Sequence, residues 1–582
     1  MVDINCNGFY ARTVFSHLLG ISPAIIKMGY YTTMFQISRK LNCVSVVLLA
    51  TVLTACGGGV GEPAAPVDSN VNVGTGGGAT LIVPASAKLP WQFDTSLVMI
   101  LRNAKGEILT NISCQAVKPA ALMVDSDCSG AVGLQLGSQE ITVTSGTISA
   151  TVTVQVTPQR HWAGTRGVTS SSGSGDYNLV VTPSGNGLTW GANPSGVLGQ
   201  NKSGTQLTFS TLPIAVMNAS GAPSLDTIYM ASAGDSAVLA LSEEGKVWGW
   251  GDNSAWELTA QNPQFSLLPV RVRNSANSAD LERVVQTAIG DNNALALLDD
   301  GSVLSWGYYS GQTIGASARY PGSVMRADGA LLTGIVGISA GWNYSLALAA
   351  DGRVWAWGYN SEGRTGTGAV TPPIALATTV KLVDGRDLTN IVAISAGYNF
   401  GMALTRNGEV YAWGDNLSGQ LGQGSKLSQM IPYAVQVKSE GGAPLSDITM
   451  VAAGGRHALA MTSSGKVLSW GLNNDGQLGR GPNIAQGTGS RDLPTQVVGE
   501  AALGQLEGVV SIAAGYNHSL ALKSNGGVLV WGTGFRGNTG QGGTVENPFY
   551  QPTPILVKNM EGTGPLVLTP LTAYPNLLQR FR

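Results

Sequence analysis

Seven Trp-Gly dipeptides fall at near-regular spacing, at Trp190, Trp250, Trp306, Trp357, Trp413, Trp470 and Trp531. Sixteen residues before each of the last six stands a glycine: Gly234, Gly290, Gly341, Gly397, Gly454 and Gly515. Eleven residues after each of those stands another: Gly245, Gly301, Gly352, Gly408, Gly465 and Gly526. The first copy keeps the pattern one residue shorter, with Gly175, Gly185 and Trp190. Spacing held fixed while the intervening residues vary implies a rigid substructure. In the last copy Leu520, Leu522, Val528 and Val530 alternate with smaller or polar neighbours, the period of a pleated strand. Asn525-Gly526 between them is a hairpin turn that needs positive φ. Each copy therefore contains a β-hairpin.

After the Trp-Gly pair the better copies continue alike, as in Asp415-Asn416-Leu417-Ser418-Gly419-Gln420-Leu421-Gly422 and Leu472-Asn473-Asn474-Asp475-Gly476-Gln477-Leu478-Gly479. A glycine nine residues past the tryptophan holds in six copies; Thr259 breaks it in the second. A proline-led strand follows, such as Pro432 to Val437 or Pro494 to Val498, and an apolar strand such as Ile391 to Gly397 leads into the next copy. That makes four strands in each unit of 50 to 60 residues, the pattern of propeller blades that bury their faces against their neighbours. Composition agrees, because many glycine turns are needed. The chain has 79 glycines in 582 residues, about twice the usual share of roughly 7%.

The motif resembles the repeats of the regulator of chromosome condensation family over residues 160–582. The resemblance implies an all-β, seven-bladed β-propeller that acts through its surface. That family includes a guanine-nucleotide exchange factor, a secreted β-lactamase inhibitor and a plant ultraviolet-B photoreceptor. Two copies depart from the pattern. The early strands of the first are not legible, and Ser254-Ala255-Trp256-Glu257 replaces the glycine turn of the second. The missing strands suggest that the C-terminal segments Gln551 to Val557 and Pro565 to Leu568 complete the blade begun near Gly175, so that no sheet edge stays open.

The N-terminal part carries an address. Arg39 and Lys40 precede an apolar run from Leu41 to Leu53, too short to span a bilayer, which takes roughly 20 residues. The ending Leu53-Thr54-Ala55-Cys56 resembles the lipobox of bacterial lipoproteins, which implies lipidation of Cys56, with residues 1–56 as the signal segment and Met28 or Met34 as alternative starts. Gly57 in the next position favours the outer membrane or cell surface of a bacterial cell envelope. Residues 57–79, rich in Gly, Pro, Ala and Val, read as a flexible tether. Residues 80–158 read as short alternating strands, such as Ala150 to Val156, and resemble a small bacterial Ig-like β-sandwich. In an oxidising compartment Cys114 and Cys128 are expected to form a disulfide, worth roughly 3 kcal/mol for a loop of about 15 residues.

The function classes narrow by elimination. The net charge is −2 and no basic run is present, which argues against nucleic acid. The five cysteines form no CxxC pair, and the three histidines of the repeat region, His161, His457 and His518, lack metal-ligand spacing. His457 and His518 fill a repeat slot, three residues past the glycine, that elsewhere holds Asn178, Ala237, Asn293, Tyr344 and Phe400. A slot that accepts Phe and Ala is a packing position, so neither a catalytic residue nor a metal nor a cofactor is expected. The position just after the repeat glycine is different. It carries Trp342, Tyr398 and Tyr516 in three copies and Asp176, Asp235, Asp291 and Gly455 in the others. Large aromatics on a rigid loop make binding anchors. Trp342, Tyr398, Tyr516, Asp235, Asp291 and Arg456 are therefore the candidate partner-binding residues. The expected function is a lipid-anchored extracytoplasmic binding protein whose propeller holds a protein partner, with membrane contact through the lipid alone. The alternatives are an exchange-factor-like regulator, which the family resemblance implies, and a glycan-binding or polysaccharide-active propeller.

Overall fold

The computed structural model describes residues 176–568 apart from short loop stretches, the longest at 309–317 and 543–549. Ahead of them it describes strands between Asp68 and Ser170, with side chains only at 112–117 and 140–145. Cys56, Cys128 and His161 lie outside the described residues. Among the described residues no helix is long and apolar enough to cross a membrane.

From Val168 onward the strands form seven four-stranded antiparallel sheets, each built from consecutive strands. Blade 1 comprises Val168–Ser170, Tyr177–Val181, Gly187–Ala192 and Phe209–Ala215. Blade 7 comprises Val509–Ala514, His518–Lys523, Val528–Gly532 and Gln551–Leu556. The expected exchange of strands between the two ends of the chain does not occur. Blade 1 has its own first strand, paired as Val168↔Val180, Thr169↔Leu179 and Ser170↔Asn178. Three residues of Val-Thr-Ser are too short and too polar to register as alternation, which hid the strand. The C-terminal segment folds back on blade 7 instead. Lys558 bridges Pro565, Gly527 bridges Val567, and the Leu568 N–H donates to the Gly526 carbonyl at 2.8 Å.

The ring closes by a device used at six junctions between blades. All seven repeat tryptophans are fully buried. The indole Nε1–H of six of them donates to a backbone carbonyl seven residues past the tryptophan of the preceding blade. Trp250 reaches Val197 at 2.7 Å, Trp306 reaches Glu257 at 2.7 Å and Trp413 reaches Arg364 at 2.9 Å. Trp470 reaches Gln420 at 2.8 Å and Trp531 reaches Gln477 at 2.9 Å. Trp190 of blade 1 reaches Asn538 of blade 7 at 2.9 Å and so shuts the circle. The position corresponding to these acceptors for Trp357 is Thr313, outside the described residues.

The glycine nine residues past each tryptophan follows from this staple. At Gly366, Gly422, Gly479 and Gly540 a Cβ would press on the indole of the next blade, 2.8 to 3.2 Å away, and φ is positive in each. The second blade keeps the same left-handed backbone with Thr259, at φ 52°. There the hydroxyl of Thr259 accepts the Arg273 N–H at 2.7 Å, replacing the carbonyl that accepts in its glycine counterparts. The apparent break in the repeat is thus a substitution within the same geometry.

Three small sheets precede the propeller. One pairs Asp68–Asn72, Thr80–Pro84 and Ile100–Arg102; its first strand falls inside the stretch read as a tether. A four-stranded sheet runs in the order Lys88–Pro90, Ile148–Thr157, Gly137–Ser145 and Ser113–Ala116. The third pairs Thr95–Ser96, Gly130–Gly133 and Leu122–Val124. Cys114 is buried and disulfide-bonded; its expected partner Cys128 lies outside the described residues.

Candidate functional site

The repeat glycines ring the axis of the propeller. A Cβ on Gly234 would sit 2.2 Å from the Gly290 carbonyl oxygen, and on Gly290, 2.1 Å from that of Gly341. The series continues from Gly341 to Gly397, Gly397 to Gly454 and Gly454 to Gly515, at 2.4 to 2.6 Å. Neighbouring first strands converge so closely here that no side chain fits. The next residue of each blade then opens onto one mouth of the ring. Its loop is tied to the end of the Trp-Gly strand: the N–H two residues past the tryptophan donates to the loop, as Asp252 does to Ser236 at 2.7 Å and Tyr359 to Asn343 at 2.8 Å. Loop residues and strand-end residues thus share a face.

Half of that mouth is aromatic. The Trp342 and Tyr398 rings stack with centroids 4.7 Å apart at 11°. Tyr516 meets Tyr398 edge-on at 5.3 Å, although a whole blade separates them in sequence. Gly455 of that intervening blade makes the meeting possible. A Cβ there would lie 2.5 Å from the Tyr516 carbonyl oxygen and 2.7 Å from its ring. Tyr359 packs edge-on against Trp342 at 6.1 Å. Beneath them lies the fully buried Arg364, its guanidinium 4.9 Å from both the Trp342 and the Tyr359 ring centroids. It donates to the Trp342 carbonyl at 2.8 Å and pairs with Glu362. Burial brings its pKa down to about 10.

The other half is acidic. Asp291 accepts the Trp342 Nε1–H at 2.6 Å, which joins the two halves. Burial, with help from Asp235, pushes the Asp291 carboxyl up to about 6. Burial and then Asp475 push Asp176 up to about 6, while Arg536 opposes the shift. Glu257 is fully buried, and burial pushes it up to about 8, with Asp252 and Asp291 adding to the shift. Its Oε2 accepts the Ala255 N–H at 3.1 Å; its Oε1 and the buried Oδ1 of Asp176 have no hydrogen-bond partner among the described residues.

Five of the six candidate residues therefore line this mouth, in two sectors: Asp235 and Asp291 in one, Trp342, Tyr398 and Tyr516 in the other. The sixth, Arg456, sits two residues past Gly454 with 42% of its side chain exposed, and its Nε lies 3.9 Å from Asp415. Sequence reasoning missed Glu257 and Arg364. Both occupy the slot seven residues past a tryptophan, where Gln420, Gln477 and Asn538 also stand, and that periodic polar position was the available signal. The histidines are interior. His457 Nε2 lies 2.9 Å from Ser519 Oγ and His518 Nε2 lies 2.7 Å from Asn178 Oδ1, each bridging to the next blade. Burial holds their pKa values down at about 3 and about 4, so both are neutral. Among the described residues no group of His, Cys, Asp and Glu could hold a metal ion.

Known proteins share this architecture. The ultraviolet-B receptor UVR8 of Arabidopsis thaliana is 28% identical over 329 residues, covering 55% of this chain and 69% of the receptor. The probable E3 ubiquitin-protein ligase HERC6 of Homo sapiens is 34% identical over 294 residues, covering 50% of this chain but only 27% of the ligase. Among solved structures, human WBSCR16 aligns with a TM-score of 0.52 at 22% identity, over 64% of this chain and 95% of its own. Prp20p from Saccharomyces cerevisiae aligns with a TM-score of 0.51 at 23% identity, over 64% of this chain and 86% of its own. At these identities the structural likeness is one of fold. The sequence match to the RCC1-like domain covers residues 127–437 and 313–565, and the chain belongs to that family.

Proposed function

We propose that this protein is a lipid-anchored extracytoplasmic binding protein that holds a protein partner at the mouth lined by Trp342, Tyr398 and Tyr516. The observation that carries the proposal is the row of half-buried aromatics on rigid hairpin loops, flanked by polar and acidic groups, which is the composition of an interface core and its rim. The structure of Prp20p was described with its binding to Gsp1p and histones, so a propeller of this fold is compatible with protein ligands. The anchor rests on Leu53-Thr54-Ala55-Cys56 after the Arg39-Lys40 pair. The Ig-like sandwich over 80–158 would lift the propeller off the membrane.

Two experiments test the two halves of this proposal. Metabolic labelling with a clickable fatty acid should mark wild type and not Cys56→Ala, with membrane association lost in the variant. An unlabelled, soluble wild type removes the anchor. Affinity capture from the envelope should then yield a protein retained by wild type and lost when Trp342, Tyr398 and Tyr516 are all replaced by Ala. A partner retained by the triple variant places the interface elsewhere, and a guanine-nucleotide-binding protein among the captured species supports the exchange-factor alternative.

A further inference from the structure

The turn Ser254-Ala255-Trp256-Glu257, which departs from the repeat, carries a residue that the blade does not require. Trp256 stands six residues past Trp250, a place held in five other blades by Gly196, Gly363, Gly419, Gly476 and Gly537. Those glycines have φ between 71° and 84°. At Gly363, Gly419, Gly476 and Gly537 a Cβ would come within 2.7 to 2.8 Å of the outer strand of the next blade. Trp256 keeps the same left-handed backbone, at φ 72°. A bulky residue held there is an outlier that costs free energy. What the tryptophan meets is Arg319, in the outer strand of blade 3, Ala318–Ser323. Arg319 stands five residues before the buried Val324, the place of Pro432, Asp492 and Pro552 before Val437, Val497 and Val557. Its guanidinium lies 4.5 Å from the Trp256 ring centroid and 5.4 Å from that of Tyr320.

Arg319 is exposed and carries its charge unpaired. Arg273, Arg283, Arg326, Arg353 and Arg386 each meet an aspartate. Arg319 has neither an ion pair nor a hydrogen bond among the described residues, only the two rings. The acids of the neighbouring turn are engaged elsewhere. Asp252 accepts the Ser254 hydroxyl at 2.6 Å, and the buried Glu257 accepts the Ala255 N–H at 3.1 Å. The stretches 260–263 and 309–317, just after Thr259 and just before Ala318, contain no Asp or Glu. A guanidinium resting on aromatic rings keeps its N–H fork free, and that fork matches a carboxylate with two parallel hydrogen bonds. Holding it in place beforehand lowers the ordering cost of binding.

We infer that Trp256, Arg319 and Tyr320 form a carboxylate-binding site that takes an aspartate or glutamate side chain of the protein partner. The site shares the face of the mouth but lies farther out. Its turn follows Asp252, whose N–H ties that strand end to the mouth loop at Ser236, and Arg319 is on the outermost strand of its blade. The inference rests on the proposed protein-binding function and not on the aromatic row. Trp256 stands where glycine would be easier because it fixes the guanidinium.

The test uses the full-length protein labelled with 5-fluorotryptophan, followed by fluorine NMR at pH 7 and low salt. The Trp256 resonance is the one missing from Trp256→Phe. The probes are blocked Ala-Glu-Ala and Ala-Gln-Ala tripeptides and inorganic sulfate. The Glu peptide should move the Trp256 resonance saturably, with the Gln peptide at least fivefold weaker. Arg319→Gln should abolish the response, and Arg319→Lys, which keeps the charge and loses the planar fork, should weaken it at least threefold. Trp256→Gly restores the usual residue of the slot. Read by titration calorimetry, it should bind the Glu peptide at least fivefold more weakly, while its thermal midpoint holds or rises. A Trp256→Gly protein that melts lower would make the tryptophan a packing element and overturn the proposal. Equal response to the Glu and Gln peptides, no response to either, or an Arg319→Gln variant that matches wild type also overturns it. If sulfate binds as tightly as the Glu peptide, a free inorganic oxyanion is the ligand and the side-chain assignment is wrong. Partner capture by the aromatic row is measured separately, so a partner lost in the triple aromatic variant and retained in full by Arg319→Gln refutes only the carboxylate site.

Discussion

The tryptophan staple predicts a graded set of stabilities among substitutions that look identical in sequence. Trp470→Phe removes the indole N–H and leaves the Gln420 carbonyl with no other donor among the described residues. An orphaned buried carbonyl costs about 1–3 kcal/mol. Trimming the bicyclic ring leaves a void, which adds about 1 kcal/mol by analogy with smaller core truncations. The expected loss is therefore about 2–4 kcal/mol. Trp531→Phe removes the same atoms, but the Gln477 carbonyl still accepts the Ser519 hydroxyl at 2.9 Å. Its loss should be nearer the void term alone, about 1 kcal/mol. Trp190→Phe belongs with Trp531→Phe, because the Asn538 carbonyl also accepts the Asn178 amide at 3.1 Å. Guanidinium denaturation followed by far-ultraviolet circular dichroism reads these differences as midpoint shifts at constant slope. Equal losses at Trp470 and Trp531, or a larger loss at Trp531, would refute the assignment of the staple as the stabilising element.

Three further outcomes follow from the same geometry. Gly397→Ala brings a methyl 2.6 Å from the Gly454 carbonyl and 2.7 Å from the Phe400 ring. It should lower stability by about 2 kcal/mol or more, read as a thermal midpoint shift. His518 has a folded pKa of about 4, below its unfolded value near 6.5, so its stabilising contribution is intact above pH 6.5 and is lost as pH falls toward 4. The stability gap between wild type and His518→Asn should thus narrow by roughly 3 kcal/mol from pH 7 to pH 4. The raised carboxyls of Asp176, Asp291 and Glu257 act in the opposite direction but are common to both proteins and cancel; a gap independent of pH contradicts a buried neutral His518. Deleting residues 559–582 exposes the surfaces that Leu566 and Leu568 cover on blade 7 and removes the Leu568–Gly526 bond. Its circular dichroism melt should shift down, and an unchanged melt would mean that this segment adds nothing to the ring.

Much of the fold was legible because the repeat multiplies weak signals. A single Trp-Gly pair says little; seven at near-constant distance from two glycines define a hairpin and a blade. What escaped notice lacked a side-chain record. The partner of each indole is a backbone carbonyl in the neighbouring unit, and a carbonyl leaves no mark on residue identity. The strand Val168–Ser170, at three residues, is too short for alternation to be recognised. Thr259 reads as a broken glycine because a sequence records the residue and not its φ. In the candidate site, the slot after each axial glycine was readable from spacing alone. That Tyr516 reaches Tyr398 past Gly455 was not, since the meeting depends on ring closure and on the absence of one side chain. The buried Glu257 and Arg364 were passed over because a charged residue in a turn ordinarily faces solvent.

The mouth of the ring as the binding face is the central claim, and site-specific photo-crosslinking in cells tests it most directly. A photoreactive amino acid would replace Tyr398 or Tyr516 in one pair of strains, and Leu503, 77% exposed and outside the mouth, in another. We expect a discrete protein adduct from both mouth positions and none from Leu503. Adducts from Leu503 with none from Tyr398 or Tyr516 would contradict the assignment.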